Sequence, residues 1–432
     1  MGIKPHWYIV ALVVFLAAPT VAQDLEPAAH PEELGFSPER LQTITRAYQS
    51  RVDAGELPGA VLLIARDNKI VYLQTLGYQD GAANMPMHVD SIFPIASMTK
   101  PFTSMAAMML AEEGKLDIAA PVSQYLPELK YLKVMGRKIN TITGELEVPF
   151  EVERAPMSVQ DLLRHTSGLV YGQFGDGPVH RAYRAAHILD PNDTLADTIT
   201  KLAKIPLAHQ PGEAWEYSVS TDVLGRVVEV VSGMPLDRFF ETRIMNPLGL
   251  TATGFSVSAD NLIRLARPAP RPTGAQPSLP DELTPPKLLS GGGGLYSTAA
   301  DYLKFCEMLL NGGALNDVRL IAPKTVALMT SDAVPPGVLP STESVLATTT
   351  IVPSPRNGLG FGLGFAVRTA QGRNSSPGSV GSYFWLGASG PAFFIDPAEK
   401  LIAIQMIRVP IGDVLRYQRL FQTLVYQALT EP

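Results

Sequence analysis

Apolar runs typical of β-strands lie near both ends of this 432-residue chain, and the sequence between them combines helical patterns with long loops. Near the N-terminus, two such runs cover residues 61–64 and 70–73, and the polar residues between them are typical of a hairpin turn. Near the C-terminus, three more runs are joined by Gly/Pro turns, at residues 382–385, 392–396 and 401–404. We therefore expect an α/β protein of the α+β type, with one antiparallel sheet built from both chain ends, flanked by helices.

The middle of the chain is predicted to be an inserted, mostly helical domain. The clearest helical patterns along the whole chain cover residues 37–50, 98–113, 159–165, 221–231, 299–311 and 413–430. Two long Pro-rich loops are expected at 268–286 and 332–359. We predict a sheet subdomain of about residues 23–96 plus 356–432, and a helical subdomain of about 97–355.

The N-terminus has the pattern of an export signal. Lys4 precedes an apolar run of eleven residues, 8–18, and Thr20-Val21-Ala22 offers small residues for cleavage. Eleven residues are too few to cross a bilayer, which takes about 20. We expect a signal peptide at 1–22, a mature chain from Gln23 that is periplasmic or secreted, and no stable membrane insertion after cleavage. An uncleaved anchor that begins at Trp7 is the alternative.

Composition excludes several classes of function. The formal net charge of −6 gives no basic surface for nucleic acid. The single cysteine, Cys306, rules out an intramolecular disulfide and a Cys-based zinc site. No two of the seven histidines have the i, i+4 spacing that would place both on one helix face, so we expect no metal and no other cofactor.

The segment Ser97-Met98-Thr99-Lys100-Pro101 carries the sharpest chemical signal. Proline is tolerated only in the first turn of a helix, so Pro101 predicts a helix start near Ser97. Residues three apart share a helix face, which places the Lys100 amine beside the Ser97 hydroxyl. A lysine partly removed from water can act as the base for a serine nucleophile. The alternative is a serine N-cap followed by a solvated lysine.

Two other segments offer partners for such a serine. Tyr217 precedes a predicted helix, and its hydroxyl could shuttle a proton with the lysine. The segment from Trp385 to Gly390 ends a predicted strand, where Gly387 allows close backbone approach. The backbone N–H groups of Ser97 and Ala388 would then form an oxyanion hole. Taken singly, Tyr217 also fits a core aromatic, and the strand end also fits a β-bulge.

Together, these segments resemble the penicillin-recognising superfamily of serine hydrolases, and within it the family VIII carboxylesterases, which are relatives of class C β-lactamases. The resemblance extends from about residue 58 to 397 and includes three further segments, at 163–169, 247–250 and 292–301. It implies a sheet flanked by helices plus a helical domain, with the active site between them. It also implies that Ser97 is the nucleophile and that Lys100 and Tyr217 handle the proton.

Two departures from the β-lactamase pattern favour esters as substrates. Those enzymes place asparagine two residues after the motif tyrosine, where this chain has Val219. They also carry Lys-Thr-Gly on the closing strand, where this chain has Trp385-Leu386-Gly387 and therefore no cation for a β-lactam carboxylate. We expect Trp385, Gly387 and Val219 to shape a pocket for an uncharged group.

Other polar residues receive structural interpretations. His165 lies in a Thr-Ser-Gly turn and is not expected to act as a base. The glycines at 291–294 lack the Gly-Lys-Ser/Thr of a phosphate loop. Asp222 is expected to stabilise the first turn of its helix.

We therefore expect a serine carboxylesterase that acts on a small-molecule ester through an acyl-enzyme. The first alternative is a β-lactamase, D-peptidase or transpeptidase acting on β-lactams or peptidoglycan peptides. The second is a catalytically silent envelope-binding homologue. The sequence leaves the oligomeric state open, together with the choice between hydrolysis and acyl transfer.

Overall fold

A computed structural model describes residues 27–28, 30–136, 138–139, 146–147, 149–268, 286–348 and 352–430. The predicted signal peptide and nearly all of the predicted loop at 268–286 lie outside these residues. Within the described part of the chain, no helix combines the length and the apolar character needed to cross a membrane.

In the part of the chain that the structure describes, eight strands form the main sheet and ten form short two-stranded pairs. In chain order they are β1 (Gly59–Arg66), β2 (Lys69–Asp80), β3 (Met85–Pro86), β4 (Phe93–Pro94), β5 (Lys133–Met135), β6 (Lys138–Ile139), β7 (Leu146–Glu147), β8 (Phe150–Val152), β9 (Ala214–Trp215), β10 (Tyr296–Ser297), β11 (Ala314–Leu315), β12 (Val318–Arg319), β13 (Leu339–Pro340), β14 (Leu359–Phe361), β15 (Ala366–Arg368), β16 (Tyr383–Leu386), β17 (Ala392–Asp396) and β18 (Leu401–Ile407).

The α-helices lie at both ends of the chain and throughout its middle. They are α1 (Pro38–Asp53), α2 (Lys100–Glu112), α3 (Val159–Leu163), α4 (Pro178–Ala185), α5 (Leu195–Leu202), α6 (Ser220–Ser232), α7 (Leu236–Phe240), α8 (Asn246–Leu248), α9 (Ala299–Leu310), α10 (Pro323–Met329), α11 (Thr342–Thr348) and α12 (Val414–Ala428). Short 3-10 turns and one π-helical turn, Glu241–Met245, join some of them.

The main sheet joins the two ends of the chain, as the sequence predicts. Its strand order is β14-β15-β16-β17-β18-β1-β2-β3. The junction is the antiparallel pairing of β18 with β1, in which Leu63 lies opposite Ile404. The hairpin between β1 and β2 turns through Asp67 and Asn68, both with positive φ, as a tight two-residue turn requires. The predicted fold class is therefore confirmed.

Helices cover both faces of this sheet. The N-terminal α1 packs against the C-terminal α12, and the pair covers one face by contacting β2 and β18. On the other face, α9 packs against β18 and β1. Strand residues alternate between these faces: Phe393 contacts Tyr302 of α9, whereas Phe394 stacks on Tyr426 of α12. Side chains on one face of the sheet therefore pack against α9, and those on the other face pack against α1 and α12.

One loop prediction needs correction. The segment 332–359 is not a continuous loop, because it contains β13 and α11. β13 pairs with β9, and the Ser341 N–H donates to the Trp215 carbonyl oxygen. This pairing fastens the segment to the chain just before Tyr217. The predicted subdomain boundaries stay a prediction, although α9, from the predicted helical part, lies on the sheet.

We predict that the packing between the two terminal helices stabilises the whole fold. Phe421 of α12 is buried and meets the Tyr48 ring edge-on at a centroid distance of 6.2 Å. Phe421→Ala should lower the free energy of unfolding by about 3–5 kcal/mol, because it leaves a cavity in the core. Thr423→Ala, at an exposed position of the same helix, should change it by less than about 0.5 kcal/mol. Denaturant unfolding measures both, and equal midpoints for the two variants would contradict this packing.

Candidate active site

Ser97 lies on a strained turn that leads into α2. A 3-10 turn, Ala96–Thr99, runs directly into α2, and Pro101 occupies the second position of that helix. Ala96, the residue before the serine, has a φ of +44°, a region that non-glycine residues seldom adopt. Ser97 itself is only half-buried. Strain of this kind is often found where a functional side chain must be presented to a ligand.

The end of β16 holds this turn in place. A Cβ atom on Gly387 would lie 2.3 Å from the Ile95 carbonyl oxygen, so only glycine permits this approach of the two backbones. Next to it, the Ser389 hydroxyl donates to the Pro94 carbonyl oxygen at 2.6 Å. Gly387 thus fixes the distance between the strand and the turn that carries Ser97.

Lys100 is fully buried, and its ammonium nitrogen reaches three oxygens. The Nζ atom lies 3.3 Å from Ser97 Oγ, 3.1 Å from the Tyr171 hydroxyl and 2.7 Å from the Gly292 carbonyl oxygen. A lysine has three N–H donors, and this geometry provides an acceptor for each of them. The predicted contact between Lys100 and Ser97 is therefore present in the structure.

The glycine run at 291–294 provides the carbonyl that anchors Lys100. The Thr103 hydroxyl of α2 donates to the Gly291 carbonyl oxygen at 2.7 Å. On the other side, the Gly292 N–H donates to Asp222 Oδ1 at 3.1 Å, and the Ser290 hydroxyl donates to the same oxygen at 2.5 Å. Asp222 thus does more than stabilise the first turn of α6: it holds the Gly292 segment against Lys100.

The buried cluster contains a carboxyl group, that of Asp222, near the Lys100 side chain. Burial raises the pKa of the Asp222 carboxyl, and the nearby Lys100 cation opposes that shift. A Cβ atom on Gly292 would lie 2.5 Å from Asp222 Oδ2 and 2.9 Å from the Tyr171 hydroxyl oxygen, so only a glycine leaves room for both groups. The sequence offered one signal for this arrangement, which was the unexplained run of four glycines.

Tyr171 is a site residue that the sequence reasoning missed. Its hydroxyl is the hydrogen-bond partner of Lys100 Nζ, and burial together with the Asp222 carboxylate raises its pKa well above the ordinary value. The hydroxyl therefore keeps its proton at neutral pH. The signal that could have found it is its position directly after the segment 163–169, which contributed to the family resemblance.

Tyr217 contacts Lys100 through its ring. Lys100 Nζ lies 4.7 Å from the Tyr217 ring centroid, a cation–π distance. In the part of the chain that the structure describes, the Tyr217 hydroxyl has no hydrogen-bond partner. Its backbone N–H donates to the Ser344 hydroxyl at 3.0 Å, so α11 fixes the segment. The structure thus brings Tyr217 to the site but leaves its hydroxyl available.

Trp385 lies behind Tyr217 and is not on an open rim. Its side chain is 1% exposed, with the indole 5.4 Å from the Tyr217 ring and 5.3 Å from the Phe361 ring. Its indole N–H is buried without a hydrogen-bond partner among the described residues. The indole therefore supports Tyr217 and leaves an uncharged donor where the β-lactamase pattern has a cation.

The two backbone N–H groups predicted to form an oxyanion hole donate no hydrogen bond within the described part of the chain. Ser97 N and Ala388 N have no acceptor within hydrogen-bond distance among the described residues. Ala388 is exposed and directly follows Gly387, whose backbone approaches the Ser97 turn. These groups are available to an incoming oxygen atom.

A cavity of about 330 Å³ adjoins this cluster. Its bordering residues include Tyr171, whose hydroxyl contacts Lys100, and Val219, Ile188 and Leu189. Leu189 has a φ of +66°, which is unusual for a branched side chain and indicates a strained turn. Val219 lies at the start of α6 and is 1% exposed. The predicted position of Val219 beside a pocket is therefore present in the structure.

These observations define a class: a serine-dependent enzyme in which a buried lysine, three residues after a half-buried serine, lies beside the serine hydroxyl. Comparison with known proteins agrees. The family model described as Beta-lactamase matches residues 44–417 of the chain. The chain belongs to the beta-lactamase family and is a serine hydrolase, so the resemblance noted from the sequence is confirmed.

Individual relatives and solved structures are also similar to this chain. An uncharacterized protein of Mycobacterium tuberculosis is 38% identical over 365 residues, which cover 82% of this chain and 87% of the relative. Esterase EstB of Burkholderia gladioli is 30% identical over 406 residues, covering 88% and 92%. The solved structure of EstCE1, a hydrolase with promiscuous acyltransferase activity, matches with a TM-score of 0.73 at 28% identity, covering 92% of this chain and all of that one.

His165 packs in the core beside this site as a neutral imidazole. It lies against the rings of Tyr217 and Phe361, and Nδ1 is 3.3 Å from the Ser218 hydroxyl. Burial, and next the Lys100 cation, lower its pKa well below 6.5. This fits the expectation that it does not act as a base.

We predict that His165 makes the fold sensitive to acid. Below pH 6.5 the unfolded chain binds a proton at His165 that the folded protein does not bind, so stability falls. The loss between pH 6.5 and 5.5 should be about 1 kcal/mol from this residue. In denaturant unfolding, His165→Gln should reduce this pH dependence, whereas His88→Gln, at an exposed position, should leave it unchanged. A pH dependence identical in wild type and His165→Gln would contradict the prediction.

Proposed function

We propose that the protein hydrolyses carboxylic esters of small, uncharged substrates through an acyl-enzyme on Ser97. The observation that carries the proposal is the 3.3 Å contact between Lys100 Nζ and Ser97 Oγ. Among the described residues, the one arginine that borders the adjoining cavity is already paired with a carboxylate. EstB and EstCE1 support it, because one is described as an esterase and the other as a hydrolase.

The first half-reaction forms the acyl-enzyme. Lys100 acts as the base in its neutral amine form: Ser97 Oγ attacks the ester carbonyl carbon, and its proton passes to Lys100 Nζ. The negative oxygen of the tetrahedral intermediate accepts from the N–H groups of Ser97 and Ala388. When the intermediate collapses, the bond to the alcohol oxygen breaks, and that oxygen takes a proton from the Tyr217 hydroxyl. Lys100, 4.7 Å from the Tyr217 ring centroid, stabilises the transient phenolate and restores its proton.

The second half-reaction releases the acid. A water molecule gives its proton to Lys100 Nζ and attacks the acyl carbon. The new tetrahedral intermediate breaks its bond to Ser97 Oγ, and Oγ regains a proton from Lys100. The Tyr171 hydroxyl keeps its own proton and, with the Gly292 carbonyl oxygen, holds Lys100 Nζ in place throughout.

The charges around the cavity favour uncharged substrates over β-lactams. Val219 cannot hydrogen-bond a substrate amide, and the indole of Trp385 cannot neutralise a carboxylate. One cation, Arg184, borders the cavity. Its guanidinium donates to the Gly172 and Gly175 carbonyl oxygens and pairs with Asp176 at 2.6 Å, so it is already satisfied.

We also propose that the protein acts outside the cytoplasm, in the periplasm or after secretion. The apolar run at 8–18 with small residues at 20–22 supports this proposal. Detection of the cleaved chain, starting at Gln23, in the periplasmic or culture fraction would test it.

The nucleophile can be tested with p-nitrophenyl butyrate. Ser97→Ala should lower kcat/KM by about a thousandfold or more, because the acyl-enzyme cannot form. Ser50→Ala, an exposed serine on α1, is the matched control and should keep full activity. Ester hydrolysis that survives in Ser97→Ala would overturn the proposal. A chromogenic cephalosporin turned over with a higher kcat/KM than short esters would instead support the β-lactam alternative.

The separate roles of the two tyrosines predict different responses to the leaving group. Tyr217→Phe should lower kcat only slightly for p-nitrophenyl butyrate, whose phenol leaves without a proton. For ethyl butyrate it should lower kcat by about 100-fold or more, because an alkoxide needs the proton. Tyr171→Phe should lower kcat by a similar factor for both esters, because it acts by positioning Lys100.

The ratio of the two kcat losses is the decisive measurement. A Tyr217→Phe variant that loses the same factor for both esters would contradict its role as proton donor to the alcohol. A Tyr171→Phe variant that discriminates between the esters would transfer that role to Tyr171.

A further inference from the structure

A second cavity lies on the opposite face of the sheet from Ser97. It has a volume of about 120 Å³ and is bordered by β15, β16, α12 and the loop after β15. On β16, Phe384 borders this cavity, whereas the next residue, Trp385, packs against Tyr217 in the first site. Neighbouring strand residues point to opposite faces, so the sheet separates the two sites.

Three arginines border this second cavity, and none of the described residues that border it is acidic. They are Arg368 on β15, Arg373 on the following loop and Arg419 on α12. The remaining bordering side chains are Asn, Ser and Gln plus Phe384, so nearly all offer hydrogen-bond donors. Within the described ranges, none of the three arginines has a carboxylate within 4.0 Å. Three positive charges thus converge on a small cavity without a counter-charge from the protein.

Arg368 is the least exposed of the three. It is 4% exposed, and Nη2 donates to the carbonyl oxygens of Ser376 and Pro377 at 2.9 and 3.1 Å. Its Nε–H is buried and has no acceptor among the described residues. Burial lowers its pKa, which shows that the charge is costly to hold there. A buried charge is expensive unless an opposite charge compensates it.

The carboxylate that acts on Arg368 from a distance, Asp396, is engaged elsewhere. The Asp396 carboxylate accepts from the Ser379 and Ala398 N–H groups at 3.0 and 3.1 Å, and from the Tyr426 hydroxyl at 2.5 Å. It raises the pKa of Arg368 only at a distance, against the larger effect of burial. Arg373 donates to the Pro355 carbonyl oxygen, an uncharged acceptor. The positive charge of the cavity therefore stays uncompensated.

We propose that this cavity binds the phosphate group of a small molecule or free inorganic phosphate. The guanidinium fork matches the oxygens of phosphate, and three arginines suit a dianion better than a single carboxylate. A volume of 120 Å³ corresponds to about four water molecules, which is enough for one phosphate group. The site does not use Ser97 and is independent of the proposed ester hydrolysis.

The direct test is calorimetric titration of the mature protein with inorganic phosphate at constant ionic strength, with sodium chloride as the replaced salt. We expect saturable binding of one phosphate per chain. The double variant Arg373→Gln/Arg419→Gln should weaken binding by about tenfold per arginine, because each removes charged hydrogen bonds. Both side chains lie at the rim of the cavity, so the variant should fold, and its unfolding curve checks this. Arg368→Gln, at the buried position, should weaken binding at least as much.

Arg416→Gln is the matched control. It removes the same charge from the same helix, but the Arg416 guanidinium pairs with Glu56 at 2.8 Å and does not border the cavity. It should bind phosphate as the wild type does. Absence of saturable binding in the wild type, or unchanged binding in the folded double variant, would overturn the proposal.

Two comparisons identify the ligand chemistry. Glycerol phosphate binding more tightly than inorganic phosphate would assign the site to an organic phosphate, and the reverse order would assign it to the free ion. Acetate binding as tightly as phosphate would overturn the phosphate assignment. Ser97→Ala should bind phosphate unchanged, so a failure of the esterase proposal would leave this result intact.

Discussion

The site depends on the hydrogen bonds of the buried Lys100 side-chain nitrogen. An amine with no exposure must find acceptors inside the protein, since burying a charge without partners is costly. Three separate parts of the chain meet this need: the Ser97 turn, Tyr171 after α3 and the Gly292 segment before α9. Each is fixed in turn, since Asp222 at the start of α6 holds the Gly292 segment. The lysine thus connects the helical part of the chain to the Ser97 turn.

The main sheet fixes the position of the Ser97 turn from its other side. β18 and β1 bring the two chain ends together, and β17 and β16 extend the sheet until Gly387 lies against Ile95. Because Gly387 has no side chain, the backbone N–H of Ala388 can stand near that of Ser97. An antiparallel sheet built from distant segments therefore positions a site whose proposed nucleophile, Ser97, lies on none of the sheet strands. The strain at Ala96 is a cost that this geometry imposes.

Sequence reasoning succeeded where the signal was local. The strand runs, the Asp67–Asn68 turn and the Ser97–Lys100 spacing each depend on residues within a few positions of one another, and each is present in the structure. It missed contacts that depend on folding. The position of Tyr171 after the segment 163–169 marks it as a candidate, but it does not specify that the hydroxyl meets a lysine 71 residues away. Asp222 likewise fits a first-turn helix residue until the Gly292 segment packs against it. The sequence analysis missed α11 because this helix has only seven residues and lies in a segment rich in Pro, Ser and Thr, which is typical of a loop.

The two tyrosines beside Lys100 show how environment assigns roles to one residue type. The Tyr171 hydroxyl is bonded to Lys100 and lies near the Asp222 carboxylate, and a negative neighbour together with burial disfavours the phenolate. Tyr217 presents its ring to the same lysine and keeps its hydroxyl unbonded. One tyrosine is therefore suited to hold the lysine and the other to exchange a proton with a ligand. The different contacts of Tyr171 and Tyr217 with Lys100 therefore decide which of the two hydroxyl groups can exchange its proton.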